Sequence, residues 1–440
     1  MRKSLIWSLI FFFFLGGYNA LSFSEPETAH SVLKSFILEA LENNPKLDAA
    51  RHRVFSAEKG ISQAGALPDP QLLVSLSNLP ADSLSFDQDP MTGKVIGIMQ
   101  MIPFPGKLAL ATEMAEFEAG AIRYQFEEVH NKVIQMVKQT YFDLYAIDRA
   151  LETTKKNREL MEQYIHVAET KYATGSGLQQ DVLRAQVEVS KLEDDLLMWR
   201  QKRLSAAARL NAILNRPVEA HIDKTLPDRG LPDSPVKVYA AEEIEQNRPL
   251  LKAWRERIRK VEAAVKLSKR DVWPNFSLGA SYRQRDELAD GRQMIDFFSA
   301  TISMNIPVYF KRKQNANIAE KELTLNAVMS EYEDIKIHVL SEITSIMAAI
   351  ERDRKRVELY EGGILIQAQQ SLESAHAGYR VGKVDFLTLL NNWLMLQNYE
   401  LQYFFAVSDY LKGLADYEYA VGLNDIHQIS PETLSEEREN

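Results

Sequence analysis

The sequence predicts a mainly α-helical protein with a small β part, in which very long helices form coiled coils and four short strands lie apart from them. Three observations predict this fold class: two long proline-free windows, segments that alternate apolar and polar residues, and an internal repeat. The windows run from Gly106 to Arg216 and from Val308 to Ser430, and all 16 prolines lie outside them. Because proline inside a helix costs about 3 kcal/mol, such windows favour long uninterrupted helices.

The composition indicates a folded chain and excludes several classes of function. Of the 440 residues, 45% are apolar and 26% are charged, which excludes wholesale disorder. The absence of cysteine excludes a disulfide scaffold, a thiolate metal site and a cysteine nucleophile. A net charge of −9 argues against nucleic acid as a partner. The histidines form no i, i+4 pair, and no nucleophile–base set is present, so we expect no metal site, no cofactor and no enzymatic activity.

Residues 1–22 are predicted to be a signal peptide. Arg2 and Lys3 precede an apolar run from Leu5 to Leu15, and the small residues Ala20 and Ser22 follow it. The run is too short to span about 30 Å of hydrocarbon as a helix, so we expect cleavage near Ser22 rather than a membrane anchor. The rest of the sequence contains no comparable apolar stretch. If this protein crosses a membrane, it is therefore expected to do so as strands.

Residues 23–214 form the predicted first module: a helix, a β-hairpin at 71–102, a long helix, a glycine-containing tip at 173–178 and a returning helix. A helix from Lys107 to Tyr172 would be about 100 Å long at 1.5 Å per residue. Apolar residues recur along it at seven-residue spacing, which is typical of helices that wrap around one another. That row comprises Val137, Leu144, Leu151, Ile165 and Tyr172.

The same order recurs in residues 242–423, with a hairpin at 275–306 and a tip at 380–383, after a proline-rich linker at 215–241. Ile102-Pro103-Phe104 and Ile306-Pro307-Val308 are 204 residues apart. The tips are related by a similar offset, because Tyr172 and Gly175 match Tyr379 and Gly382. We also match Asp181 to Asp385, which makes the second tip three residues shorter. Residues 424–440 are predicted to be a flexible tail.

The strand predicted at Phe297–Ile306 has one apolar and one polar face. A hairpin of this kind could also pack its apolar face on the core of a soluble protein. These hairpins, however, lie at the ends of helices about 100 Å long, where we expect no core for them to pack against. Four strands cannot close a barrel, for which about eight is the usual minimum, so identical neighbours are needed. Strand counting alone permits a dimer or a trimer. We expect Phe298, Ile302 and Met304 to face lipid, and Ser299, Thr301, Ser303 and Asn305 to face a water-filled bore.

The duplicated order of elements resembles the TolC-like family of outer membrane efflux proteins, the outer membrane factors. Lys171-Tyr172-Ala173-Thr174-Gly175 and Tyr379-Arg380-Val381-Gly382-Lys383 are similar to the family's tip motifs. Pro103-Phe104-Pro105-Gly106-Lys107 resembles the subgroup that works with heavy-metal pumps of the resistance-nodulation-division (RND) class. The resemblance implies a homotrimer with a 12-stranded barrel in outer-membrane lipid and a helical tunnel through the periplasm. It also implies a periplasmic adaptor and an inner-membrane RND-type pump as partners.

The tips are the candidate gate and adaptor-docking site. Gly175 and Gly382 would permit the reversal of the chain, and Tyr172 and Tyr379 are candidates for the constriction. Rings of charge around an oligomer can both select ions and hold a pore closed. The alternative is that these residues are ordinary helix caps with solvated charges. The charged candidates are Asp181 and Asp385, as acidic rings, and Arg380 and Lys383, as bridges to a neighbouring hairpin.

The function that these patterns favour is a passive export duct in the outer membrane of a Gram-negative-type envelope, extending into the periplasm. An inner-membrane pump and a periplasmic adaptor would deliver its substrates, with heavy-metal cations as one candidate class. One alternative is the outer-membrane channel of type I protein secretion. The other is a periplasmic structural coiled coil without a pore.

Overall fold

The computed structural model describes residues 29–223 and 237–423. The predicted signal peptide, the predicted tail at 424–440 and residues 224–236 of the predicted linker lie outside the described residues.

The described chain contains the same order of elements twice, and its fold class confirms the prediction of a mainly helical protein with a small sheet. The first half consists of α1 (Ala29–Asn43), α2 (Pro45–Ala64), β1 (Gln71–Ser77), β2 (Gly93–Ile102), α3 (Lys107–Ala173) and α4 (Gln179–Ile213). The second half consists of α5 (Ala241–Asn247), α6 (Pro249–Arg270), β3 (Phe276–Gln284), β4 (Phe297–Met304), α7 (Gln314–Leu359), α8 (Leu365–Arg380) and α9 (Phe386–Val421).

Each half begins with a pair of helices rather than with the single helix that the sequence predicts. The break falls before Pro45 in the first half and before Pro249 in the second. Proline is favoured at the first position of a helix, where its missing N–H costs nothing. At the first break, the Asn44 side chain accepts the Lys46 N–H at 3.0 Å and donates to the Ile213 carbonyl at 2.8 Å. That second bond fastens the break to the end of α4.

Helix α3 is the central element of the protomer. It has 67 residues, which corresponds to about 100 Å, and packs against α2, α4, α6 and α9. Val137 and Leu144 of the predicted seven-residue row are fully buried. Tyr172, at the end of that row and directly before the first tip, is half exposed.

The second long helical segment is interrupted where the sequence predicts continuity. A single π-helical turn, Tyr360–Ile364, separates α7 from α8. The turn contains Gly362 and Gly363, and no atom outside the local backbone lies within 4 Å of where their Cβ atoms would be. Two adjacent glycines weaken the α-helical preference, and this permits the wider turn.

The four strands form one antiparallel sheet in the order β1-β2-β3-β4. The central pair, β2 and β3, joins the two halves, with Ile98 opposite Ala280. Strand β1 ends before the predicted Leu79, because Asn78 adopts a φ of 53° that an extended strand excludes. Strand β4 ends at Met304, short of the predicted Ile306.

Candidate channel wall and hairpin tips

One face of the sheet, here called face A, is almost continuously apolar. The strand register places Phe298, Ile302 and Met304 on it, together with their cross-strand partners Tyr282 and Leu278. Phe298 and Ile302 are each 75% exposed in the protomer. A soluble protomer rarely leaves so large an apolar area uncovered. The remaining members of face A are Leu72, Val74, Leu76, Lys94, Ile96, Ile98, Gln100, Ile102, Phe276, Ala280, Gln284 and Ala300.

The opposite face, face B, is polar in only one half of the sheet. Ser299, Thr301 and Ser303 of β4 lie on it, opposite small residues of β3. Strands β1 and β2 contribute larger apolar residues, among which Leu73 is 49% exposed. Asn305 lies beyond the end of β4, and its side chain accepts the Asn275 N–H at 2.6 Å. The prediction of a polar face therefore matches β4 better than it matches the first hairpin.

The segment Pro103–Lys107 connects β2 to α3 through a closed junction. The Phe104 ring stacks on Trp273 at 5.3 Å. The Lys107 side chain is only 9% exposed; its Nζ donates to the Trp273 carbonyl and the Asn275 side chain at 2.9 Å and pairs with Asp271 at 3.2 Å. This motif therefore links the two halves of the protomer at the base of the sheet. Sequence reasoning singled out the motif by resemblance but did not predict this role.

The first hairpin tip connects α3 to α4 through residues 174–178. Gly175 has a φ of 73°, a conformation that glycine adopts without strain. The Ser176 N–H donates to the Lys171 carbonyl at 2.9 Å and closes the end of α3. Asp181 lies in the first turn of α4, where the helix dipole stabilises a negative charge.

The second tip connects α8 to α9 through residues 381–385 and has the same closing bond, from the Lys383 N–H to the Gly378 carbonyl at 2.9 Å. Gly382 also has a φ of 73°. Asp385 is the N-cap of α9, and its side chain accepts the Thr388 N–H at 2.8 Å. Hydrogen bonding from the Thr388 side chain, and then from its N–H, is the main cause that lowers the pKa of Asp385, and the nearby charge of Arg184 adds to it.

The expected match of Asp181 with Asp385 is wrong at the level of structure. The two connections have equal length, so the residue of the first tip that corresponds to Asp385 is Leu178, the N-cap of α4. The second tip is therefore not shorter. The additional residues of the second half lie before its tip, in the connection between β4 and α7. Matching the two aspartates in the sequence gave the wrong correspondence, because aspartate is favourable both as an N-cap and within the first turn of a helix.

The two tips contact each other within one protomer, and Tyr379 lies at the centre of that contact. Tyr379 is 5% exposed, its ring packs against Phe386 at 5.6 Å, and Lys171 Nζ lies 4.3 Å from its ring centre. Burial, and to a lesser degree the charge of Asp181, raises the pKa of Tyr379. By contrast, Tyr172 is 50% exposed. Lys171 was not among the predicted site residues, although it lies within a motif that the sequence singled out.

Arg380 and Lys383 are both exposed at the second tip. Neither forms an ion pair with another residue in the described ranges, although many other basic side chains do. The described part of the protomer therefore supplies no ion-pair partner for Arg380 or Lys383, the two cations that were predicted to bridge to a neighbouring hairpin.

Helices α4 and α7 carry large apolar side chains that the protomer leaves uncovered, a feature that sequence reasoning did not identify. Because these side chains lie on helices, an apolar surface outside the sheet is also available for contact with another polypeptide. On α4 they are Leu183, Val187, Leu197 and Leu204, and on α7 they are Leu323, Met329 and Ile337.

The described residues contain no group of three or more His, Cys, Asp or Glu side chains placed to hold a metal ion. Among the helices of the described ranges, none is both long enough and apolar enough to cross a membrane.

An exposed apolar sheet face, set at the end of helices about 100 Å long, defines the class of envelope channel proteins whose strands meet lipid and whose helices project away from it. The sequence profile of the outer membrane efflux protein family matches residues 36–216 and 240–403. The chain belongs to this family. It is an outer-membrane efflux channel protein that extends into the periplasm, as predicted.

Individual relatives agree with this assignment. The chain is 25% identical over 365 residues to the outer membrane efflux protein BepC of Brucella suis, covering 82% of this chain and 78% of that protein. It is 22% identical over 362 residues to the cobalt-zinc-cadmium resistance protein CzcC of Cupriavidus metallidurans, covering 82% of each. The solved outer-membrane channel OprN superposes with a TM-score of 0.76 at 16% identity, covering 89% of this chain and 90% of that chain.

Proposed function

We propose that three copies of this chain form one passive export duct, in which the four-stranded sheets combine into a 12-stranded barrel and the helices form a periplasmic tunnel. The observation that carries this proposal is face A, which is almost continuously apolar over the four strands, while the outer edges of β1 and β4 have no strand partner in the described protomer. Unpaired edges buried in lipid are costly, and identical neighbours can pair them. The uncovered apolar side chains of α4 and α7 favour helix contacts between the same neighbours.

The assembled duct is expected to place face A against outer-membrane lipid and face B toward the bore. The first experiment compares Ile302→Arg with Thr301→Arg, because these neighbours in β4 lie on opposite faces. Arginine on a lipid-facing strand costs about 2–4 kcal/mol at the membrane midplane. Ile302→Arg is therefore expected to abolish heat-modifiable trimers in outer-membrane fractions, whereas Thr301→Arg leaves them. Equal trimer yields from the two variants would contradict the assignment of the faces.

The hairpin tips are proposed to form the closed resting end and the docking site for a periplasmic adaptor. Support comes from Arg380 and Lys383, which are exposed and lack ion-pair partners within the described protomer, and from Asp181, whose charge raises the pKa of Tyr379 in the opposite tip. Paired around a trimer, such charges form a latch of individually weak bonds, each worth about 0–1 kcal/mol. The double variant Asp181→Ala/Arg380→Ala is expected to raise single-channel conductance in planar bilayers. Unchanged conductance would reject the latch.

The delivering partners are proposed to be a periplasmic adaptor and an inner-membrane RND-type pump. The chain contains no cysteine, so single introduced cysteines can report contacts without background. A cysteine at Lys383 is expected to cross-link to the periplasmic adaptor, whereas a cysteine at Lys155, which is exposed on α3 and lies well before the tip, is not. Cross-linking at Lys155 but not at Lys383 would place the docking site elsewhere.

Heavy-metal cations are the proposed cargo class. The support is the resemblance of Pro103–Lys107 to the heavy-metal subgroup and the 22% identity to a cobalt-zinc-cadmium resistance protein. Deletion of this protein is expected to lower tolerance to cobalt, zinc or cadmium salts while leaving tolerance to organic drugs unchanged. The opposite pattern would assign the duct to another cargo. No catalytic step is part of this proposal.

A further inference from the structure

The connection between β4 and α7 carries three consecutive basic residues, Lys311, Arg312 and Lys313, here called the basic collar. All three side chains are exposed. None of them forms an ion pair with any residue that the structure describes, although the protein as a whole has a net charge of −9. The collar is therefore a local concentration of uncompensated positive charge on an acidic protein.

The collar adjoins exposed apolar and aromatic side chains. Ile306 is 74% exposed, Val308 71% and Tyr309 77%. The segment is an ordered turn, since the N–H groups of Arg312 and Lys313 both donate to the Tyr309 carbonyl, at 3.0 and 2.9 Å. The backbone thus holds the apolar residues and the basic residues next to each other.

The position of the collar in the fold matches the edge of a lipid bilayer. The connection starts directly after Met304, which belongs to face A, and ends where α7 begins. Trp273, which precedes β3 at the same end of the sheet, is 56% exposed. Aromatic residues followed by basic residues, at the end of an apolar band, are typical of the boundary between hydrocarbon and water.

The equivalent connection of the first half does not have this character. Between β2 and α3, Phe104 is stacked on Trp273, and the single basic residue, Lys107, is buried and paired with Asp271. Of these two connections, therefore, only the one between β4 and α7 carries exposed basic side chains. The proposed trimer would carry one collar per protomer.

We propose that the basic collar binds the phosphate-bearing head groups of anionic phospholipids in the periplasmic leaflet of the membrane. This inference rests on the proposed contact of face A with lipid. Exposed Lys and Arg side chains at the edge of an anionic leaflet gain Coulomb energy, which salt screens. A lipid suits the site better than a protein segment, because the exposed apolar side chains beside the collar follow directly in the chain on a strand of the apolar face A.

The test measures the selectivity of the reconstituted trimer for spin-labelled lipid. Trimers are placed in phosphatidylcholine vesicles with chain-labelled phosphatidylglycerol or chain-labelled phosphatidylcholine, and electron spin resonance gives the immobilised fraction of each. The wild type is expected to prefer phosphatidylglycerol. The variant Lys311→Gln/Arg312→Gln/Lys313→Gln is expected to reduce the relative association constant by about fivefold or more, and 0.5 M salt should reduce that of the wild type.

A matched control removes the same charge elsewhere: Lys155→Gln/Lys156→Gln/Arg200→Gln, on the exposed surfaces of α3 and α4, should keep the wild-type preference. An unchanged preference in the collar variant would overturn the inference. A loss of trimers in the collar variant would also overturn it, because the collar would then pair with a neighbouring copy of the chain. If neither labelled lipid is immobilised by the wild type, the contact of face A with lipid fails, and the inference fails with it.

Discussion

The two halves of the protomer share one order of elements but differ in how completely the chain buries them. Helix α3 of the first half is enclosed by α2, α4, α6 and α9. Helix α7 of the second half leaves Leu323 69% exposed and Ile337 65% exposed. The difference indicates that the long helix of the first half forms the core of the protomer, whereas its counterpart in the second half contributes exposed surface. Duplicated sequence therefore does not imply duplicated burial.

The junctions between strand and helix offer the largest test of this contrast. Lys107→Ala removes a buried ammonium group that binds the Trp273 carbonyl, Asn275 and Asp271. We expect a loss of about 3 kcal/mol or more in the free energy of unfolding, measured by urea denaturation in detergent micelles, because the three partners are left unpaired. Lys313→Ala, at the start of α7, should change it by less than about 0.5 kcal/mol. Equal losses would show that the two junctions are equivalent.

Each tip contains a glycine with no room for a Cβ atom, but the atoms that would clash differ between the two tips. In the second tip, a Cβ on Gly378 would lie 2.5 Å from Val384 Cγ2, whereas in the first tip a Cβ on Gly177 would lie 2.9 Å from Lys171 Cβ and 3.2 Å from its backbone carbonyl carbon. Gly378→Ala is expected to cost about 1–3 kcal/mol in thermal or urea unfolding.

Adding Val384→Ala should restore most of that loss, since it removes the methyl group that clashes. Gly177→Ala should resist rescue by Lys171→Ala, because Cβ and the backbone remain. If the second tip also resists rescue, backbone strain and not the valine methyl is the cause.

The π-helical turn distinguishes the second long helical segment from α3. Gly362→Ala/Gly363→Ala adds side chains into open space, so we expect a gain of about 1–2 kcal/mol in the free energy of unfolding from reduced backbone entropy. Gly120→Ala in α3, whose Cβ would lie 3.4 Å from Glu256, provides the comparison for one ordinary helical glycine. Destabilisation by the double variant would mean that the π turn depends on glycine.

The smallest expected effect concerns the caps of the two returning helices. Because the pKa of Asp385 is lowered in the folded protein, its carboxylate stabilises the fold above the ordinary Asp value of 3.8, and this contribution is lost as the pH falls through the folded value. Asp385→Ala should lower the unfolding temperature slightly at pH 7, and this difference from the wild type should shrink as the pH falls below the ordinary Asp value. The exchange of its counterpart, Leu178→Ala, should show no such pH dependence.

Local patterns in the amino-acid sequence were sufficient to predict the fold class, the duplicated order of elements and the approximate position of the tips. These follow from local causes: proline cannot continue a helix, glycine permits a left-handed turn, and a period of two or seven residues marks a strand or a coiled coil. The apolar row of β4, with Phe298, Ile302 and Met304 on one face, followed from that period alone.

Contacts between residues that are distant in the chain could not be predicted in this way and are known from the structure. The burial of Lys107 depends on Trp273 and Asn275, which lie far away in the chain, and no local sequence pattern predicts that contact. The correspondence of Asp385 with Leu178, rather than with Asp181, depends on where each helix begins. Burial, charge pairing and capping are set by the distances between elements, and those distances arise from packing rather than from sequence periodicity.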